Sequence, residues 1–147
     1  VNHYLSNRFS NTEYIGPARA RSERYYRNQE LQVSDISPDG QNLPIFLASL
    51  PDDETQDFSK WVESIFGYGV KVDKTEGHIS IALTKDNETI NIVDTGYGVS
   101  QVLPVIAQVW WMQSSRYQSK TFSHHDIKST LVIEQPNSFL MPSLSGS

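Results

Sequence analysis

Between Val99 and Trp110, apolar side chains fall at Val99, Val102, Leu103, Val105, Ile106, Val109 and Trp110, a spacing that wraps well over one face of a helix. A helix apolar over so wide an arc needs cover on several sides. The remaining elements must therefore pack around it. Pro104 is expected within its first turn, where a missing N–H costs no internal bond. Trp110 is read as core, with Trp111 as either core or a contact surface.

Three strand-like segments precede that helix: Val70-Lys71-Val72, Ile79-Ser80-Ile81-Ala82-Leu83 and Ile90-Asn91-Ile92-Val93. Turn residues at Glu76-Gly77 and Lys85-Asp86-Asn87 separate them, and two of the three alternate cleanly, which predicts an antiparallel meander. Upstream, Ser37-Pro38-Asp39-Gly40 reads as a turn and Asn42 opens a helix from Leu43 to Leu50. Pro51 stops it, Asp52-Asp53-Glu54 suits the start of a second helix, and Phe58, Trp61, Val62, Ile65 and Phe66 give that helix one apolar side before Gly67. The first 13 residues carry only a faint helical signal, ending before Tyr14-Ile15. Residues 113 to 129 read as a polar loop, and Ser129-Thr130-Leu131-Val132-Ile133 as a short buried strand.

Composition narrows the function classes. The chain has 147 residues with 37% apolar content, below the roughly 45–50% usual for globular domains, so one thin core, or part of a larger one, is expected. Lys and Arg number 12 against 17 Asp and Glu, a net of 12 − 17 = −5, which excludes generic coating of nucleic acid. The absence of Cys excludes disulfides, thiolate nucleophiles and Cys-based zinc sites, and agrees with a reducing, cytoplasmic setting. No apolar run reaches the length of a membrane span and the start lacks the design of a secretion signal, so no membrane partner is expected.

One local charge run departs from the acidic average. Ala18 to Arg27 holds Arg19, Arg21, Arg24 and Arg27 against Glu23, or 4 − 1 = +3, interleaved with Tyr25 and Tyr26. It reads either as solvated surface or as an arm that meets an anion or nucleic acid. His124-His125-Asp126 reads as polar loop, because adjacent side chains rarely converge on a metal. His3 and His78 are isolated.

Two segments carry chemistry. Asp94-Thr95-Gly96-Tyr97-Gly98-Val99-Ser100-Gln101 crosses a strand-to-helix junction, where free helix N–H groups and the Ser100 hydroxyl suit a phosphate. Leu131-Val132-Ile133-Glu134-Gln135-Pro136 ends a strand on a carboxylate. Together they resemble the nucleotide-binding heads of ABC and SMC-like ATPases, in a bacterial AAA-type branch related to OLD and Septu-type defence ATPases. Gly96-Tyr97-Gly98-Val99-Ser100-Gln101-Val102-Leu103-Pro104 matches that branch's replacement for the ABC signature, and Ile133-Glu134-Gln135-Pro136 its Walker B ending. Tyr14-Ile15-Gly16-Pro17-Ala18-Arg19 is similar to its Tyr-Ile-Gly-Pro-x-Arg segment, with Pro38-Asp39-Gly40-Gln41-Asn42 beyond.

The resemblance implies an α/β fold, the later part of an ABC-type P-loop ATPase head. Residues 1–136 would form it: a basic segment 18–28, helices within 43–67, strands within 70–93, a signature helix 98–112 and a buried Walker B strand 130–134 beside it. Residues 137–147 would be a polar tail. It further implies ATP and Mg²⁺ as ligands, sandwiched in a homodimer or with a complementary ATPase segment, in bacterial defence or DNA maintenance, with an effector protein as a further partner. Gly96, Gly98, Val99, Ser100 and Gln101 would face the nucleotide. Glu134 would organise the Mg²⁺ shell indirectly, and Gln135 would stand where many ABC proteins keep a catalytic Glu; an amide orients water but cannot take its proton. The sequence departs from the pattern in having no Gly-x-x-x-x-Gly-Lys-Ser/Thr segment, and in reading Asn137-Ser138-Phe139-Leu140-Met141-Pro142 where the family has Glu and then His-Leu-His-Pro. Hydrolysis by this chain alone is therefore not expected. The competing expectation is a non-enzymatic protein-interaction module with an Arg-rich contact surface.

Overall fold

The computed structural model describes residues 12–16, 22–28, 33–114 and 130–134. Over these it is a mixed α/β domain with helices packed on an antiparallel sheet. In chain order the elements are β1 (Thr12–Ile15), β2 (Tyr26–Arg27), α1 (Leu43–Ser49), α2 (Asp52–Phe66), β3 (Gly69–Thr75), β4 (His78–Lys85), β5 (Glu88–Asn91), a 3-10 turn (Ile92–Thr95), α3 (Tyr97–Gln113) and β6 (Thr130–Ile133).

The meander forms as its alternation requires. β3 and β5 both run antiparallel to β4, and β2 adds two residues at the start of β4. At the β4–β5 turn, Asp86 and Asn87 take φ of 49° and 67°, the left-handed pair of a type I′ hairpin whose twist matches the strands. Val70, Ile81 and Leu83 point to the buried side. The third strand lies two residues before its expected place, Glu88–Asn91 instead of Ile90 to Val93, because Ile92 leaves the ladder for the 3-10 turn and is buried there.

The helices cover that side. α2 begins on Asp52, Asp53 and Glu54, whose charge complements the helix dipole, and buries Phe58 and Val62 one turn apart. α3 supplies Leu103, Ile106, Ala107, Trp110 and Trp111 to the same core. Phe46 of α1 meets Trp111 edge-on with centroids 5.1 Å apart, and Phe58 of α2 meets Trp110 at 5.2 Å. Both tryptophans are thus core.

Three details depart from expectation. Pro104 lies inside α3 rather than in its first turn, because the helix starts at Tyr97, and it removes the bond that residue 104 would donate to the carbonyl of residue 100. β1 takes in Thr12 and Glu13, at the end of the stretch where the sequence shows a faint helical signal, together with Tyr14 and Ile15. The expected buried strand β6 is largely exposed, Val132 by 43% and Ile133 by 42%, and its described partner is β1, in parallel, rather than α3. An apolar run of this length does not state how many of its sides are covered.

Pro104 also explains the turn before α1. Gly40 has φ +70°, and a Cβ there would fall 2.7 Å from Cβ and Cγ of Pro104. Gly40→Ala is expected to lower stability by about 1–3 kcal/mol through overpacking and backbone strain, and Pro104→Ala in the same chain to restore part of it. Urea unfolding of the two single variants and the double variant measures this coupling.

Candidate functional site

The carboxylate side of the candidate site is built by strand pairing. β1 and β6 align Ile15 with Ile133, and the ladder continues one bond further, from the Glu134 amide to the Ile15 carbonyl at 2.9 Å. Both strands therefore end together, with Gly16 and Glu134 just beyond their carboxyl ends. The Tyr14 hydroxyl donates to Oε2 of Glu134. That hydrogen bond, with lesser contributions from desolvation and from the carboxylate's charge, raises the Tyr14 phenol above its ordinary pKa. A Cβ on Gly16 would lie 3.7 Å from the Tyr14 ring, so the ring rests over this glycine on its way to Glu134.

The helix side is built differently. Gly96 precedes α3 with φ 95° and ψ 163°, caps the helix without a side-chain bond, and is exposed, as is Gly98. The first amides of a helix have no partner within it, so this end carries partial positive charge. Val99 and Gln101 are half-buried. Ser100 points inward: it is 7% exposed and lines a cavity of about 260 Å³ with Tyr26, Gly40, Gln41, Leu43 and Pro104, among others.

A chain of contacts links the β1 end of the carboxylate side to the interior of α3, two turns beyond its start. The Gly16 amide donates to the Pro38 carbonyl at 2.8 Å, and the Pro38–Gly40 turn seats against Pro104 of α3. Side chains hold that turn rigid. Asn42 accepts from the Ser37 amide at 2.7 Å and donates to the Asp35 carbonyl at 2.9 Å. Asp39 accepts from the Gln41 amide at 3.0 Å and from the Ser37 hydroxyl at 2.7 Å. The Gln41 amide first, and the Ser37 hydroxyl second, hold the Asp39 carboxyl below the usual range.

The basic arm is partly engaged within the chain. Arg24 reaches Asp94, just ahead of α3, at 2.6 Å, and its carbonyl accepts from Asn91 Nδ2 at 3.3 Å. Arg27 is exposed on β2. Arg19, Arg21, Gln135, the His124-His125-Asp126 loop and residues 137–147 lie outside the described residues.

Among the described residues, no group of three or more His, Asp or Glu side chains gathers to hold a metal ion. A single exposed carboxylate does not make a metal site by itself; Mg²⁺ that arrives on phosphates keeps several waters and needs only one or two carboxylates. No described helix is long and apolar enough to cross a membrane. Comparison with protein-family models, curated proteins and solved structures found no match to this chain.

Sequence reasoning did not assign a partner to Glu134 or to Asp94. The signal for the first was present, since Tyr14 belongs to one quoted segment and Glu134 to another, but 120 positions separate them. For Asp39, the lowered pKa means its stabilising contribution is complete above about pH 4 and lost as pH falls through the folded value. Asp39→Asn is therefore expected to show a shallower loss of urea midpoint between neutral pH and about pH 3 than the unaltered chain.

Proposed function

We propose that this chain is the signature and Walker B portion of an ABC/SMC-like ATPase head, which takes up Mg-ATP between two protomers when a P-loop segment completes it. The observation that supports this best is the parallel β1–β6 pair. It joins two of the segments on which the resemblance rests and puts Glu134 beyond the carboxyl ends of adjacent parallel strands, where open α/β sheets bind their ligands. The uncapped, exposed start of α3 adds a surface of partial positive charge suited to a phosphate.

In this reading, amides of the first turn of α3 meet the γ-phosphate held by the other protomer, and Glu134 accepts hydrogen bonds from water around Mg²⁺. Mg²⁺, when bound, neutralises charge on the phosphates. Tyr14 occupies Oε2 and so fixes which way the carboxylate faces. Gln135 orients water without acting as a base, which makes hydrolysis slow. The homodimer or complementary segment, the effector, and the place in bacterial defence or DNA maintenance rest on the resemblance. The inward position of Ser100 leaves Gly96 and Gly98 as the phosphate-facing surface.

The second reading, a non-enzymatic interaction module, draws support from the exposed Ile65, Phe66, Ile90 and Val93. Calorimetric titration of Mg-ATP into the chain, with and without a separately expressed P-loop segment, separates the two. Uptake is expected only in the mixture and is lost in Glu134→Ala and in Gly98→Glu, the latter at an exposed site where an added Cβ has open space. No uptake in the mixture, or uptake indifferent to both substitutions, overturns the ATPase reading.

A further inference from the structure

We propose that the cavity between the segment leading into β2 and the first turn of α1 binds a small organic ammonium, whose apolar body fills the cavity and whose protonated amine meets Glu23. The cavity has a volume of about 260 Å³ and joins several parts of the fold. Its floor is core: Ile81 of β4, Ile92 of the 3-10 turn and Leu103 of α3 line it, and each is at most 2% exposed. Its mouth is polar, with Glu23 and Gln41 exposed there. An apolar floor beneath a few polar groups takes a molecule that is apolar at one end only. A dry cavity of about 150 Å³ holds benzene, so the body here has on the order of ten non-hydrogen atoms.

Both walls of the mouth are braced. The Glu23 amide donates to the Tyr26 hydroxyl at 2.7 Å, and Tyr26, which also lines the cavity, is fixed opposite Ile79 in the β2–β4 ladder. One residue on, the Arg24 carbonyl accepts from Asn91. Across the mouth, Gln41 stands on the turn that Asp39 and Asn42 hold rigid. Walls fixed in advance have little freedom left to lose when a ligand enters.

Charge selects the polar end. Among the described residues that line the cavity there is no Lys, Arg or His, and Glu23 carries the sole formal charge. The neighbouring cations are turned elsewhere. Arg24 is engaged by Asp94 at 2.6 Å, and alternation along β2 takes the exposed Arg27 to the face opposite Tyr26. Glu23 itself enters no ion pair among the described residues. A carboxylate ligand would meet that charge with nothing to offset it, whereas an ammonium brings attraction and three N–H donors. This inference does not rest on the ATPase reading, because it needs neither phosphate nor a second segment.

The test is methyl NMR of the full chain at neutral pH, titrated with phenethylamine, phenylethanol and phenylpropionate. The three share one body and differ in a cationic, neutral or anionic end. Phenethylamine is expected to give saturable ring-current shifts at the methyls of Ile81, Ile92 and Leu103, and to bind about fivefold more tightly than the alcohol. Glu23→Gln is expected to level the amine with the alcohol, and Glu23→Lys to favour phenylpropionate over the amine. Circular dichroism checks that these substitutions at an exposed site leave the fold intact. No saturable shift with phenethylamine, shifts confined to methyls outside the cavity, equal affinity for amine and carboxylate, or a preference for the amine that survives Glu23→Gln overturns the proposal.

Discussion

The tandem tryptophans of α3 fasten the described core. Trp111 is held by Phe46 of α1 and Trp110 by Phe58 of α2, so the far end of α3 is clamped against both preceding helices, while Ser100 and Leu103 nearer its start are buried beside Leu43 and Pro44 of α1. Everything proposed for the glycines at that start depends on this anchorage. With Leu103 in the same core and Pro104 against Gly40, the helix is packed along its length, which keeps the amides of its first turn in place relative to the sheet.

Much of this arrangement was legible in the sequence, for reasons that differ element by element. Ile79-Ser80-Ile81 alternates because one side of β4 is buried and the other wet, and Asp86-Asn87 tolerates the left-handed turn that follows. The apolar breadth of Val99 to Trp110 announced a helix with neighbours on several sides. Pro104 was misjudged because its tolerance depends on where the helix begins, and the tightness of its contact with Gly40 belongs to packing between distant segments. The exposure of β6 is likewise a property of its neighbours, which Leu131-Val132-Ile133 does not encode.

The candidate site shows the same division. That a helix would begin near Gly98, and that Glu134 would close a strand, followed from local pattern; the stretch before the helix is a 3-10 turn and not the end of a strand as expected. That Ser100 would turn inward, that Tyr14 would bond Glu134, and that Arg24 would pair with Asp94 did not, since each needs segments brought from far along the chain. Both acidic groups nearest the proposed chemistry, Asp94 and Glu134, have a specific donor that limits their orientation. A carboxylate so held presents one known edge to whatever approaches it.

The parallel pairing of β1 with β6 has a kinetic side. Its ladder joins ends of the chain that share no hairpin or local helix, so closing it sacrifices the conformational freedom of an entire intervening loop, whereas the meander and α2 assemble from near neighbours. Folds rich in contacts of such wide separation fold more slowly. The Glu134 corner consequently carries the largest loop-closure cost among the strand pairings described.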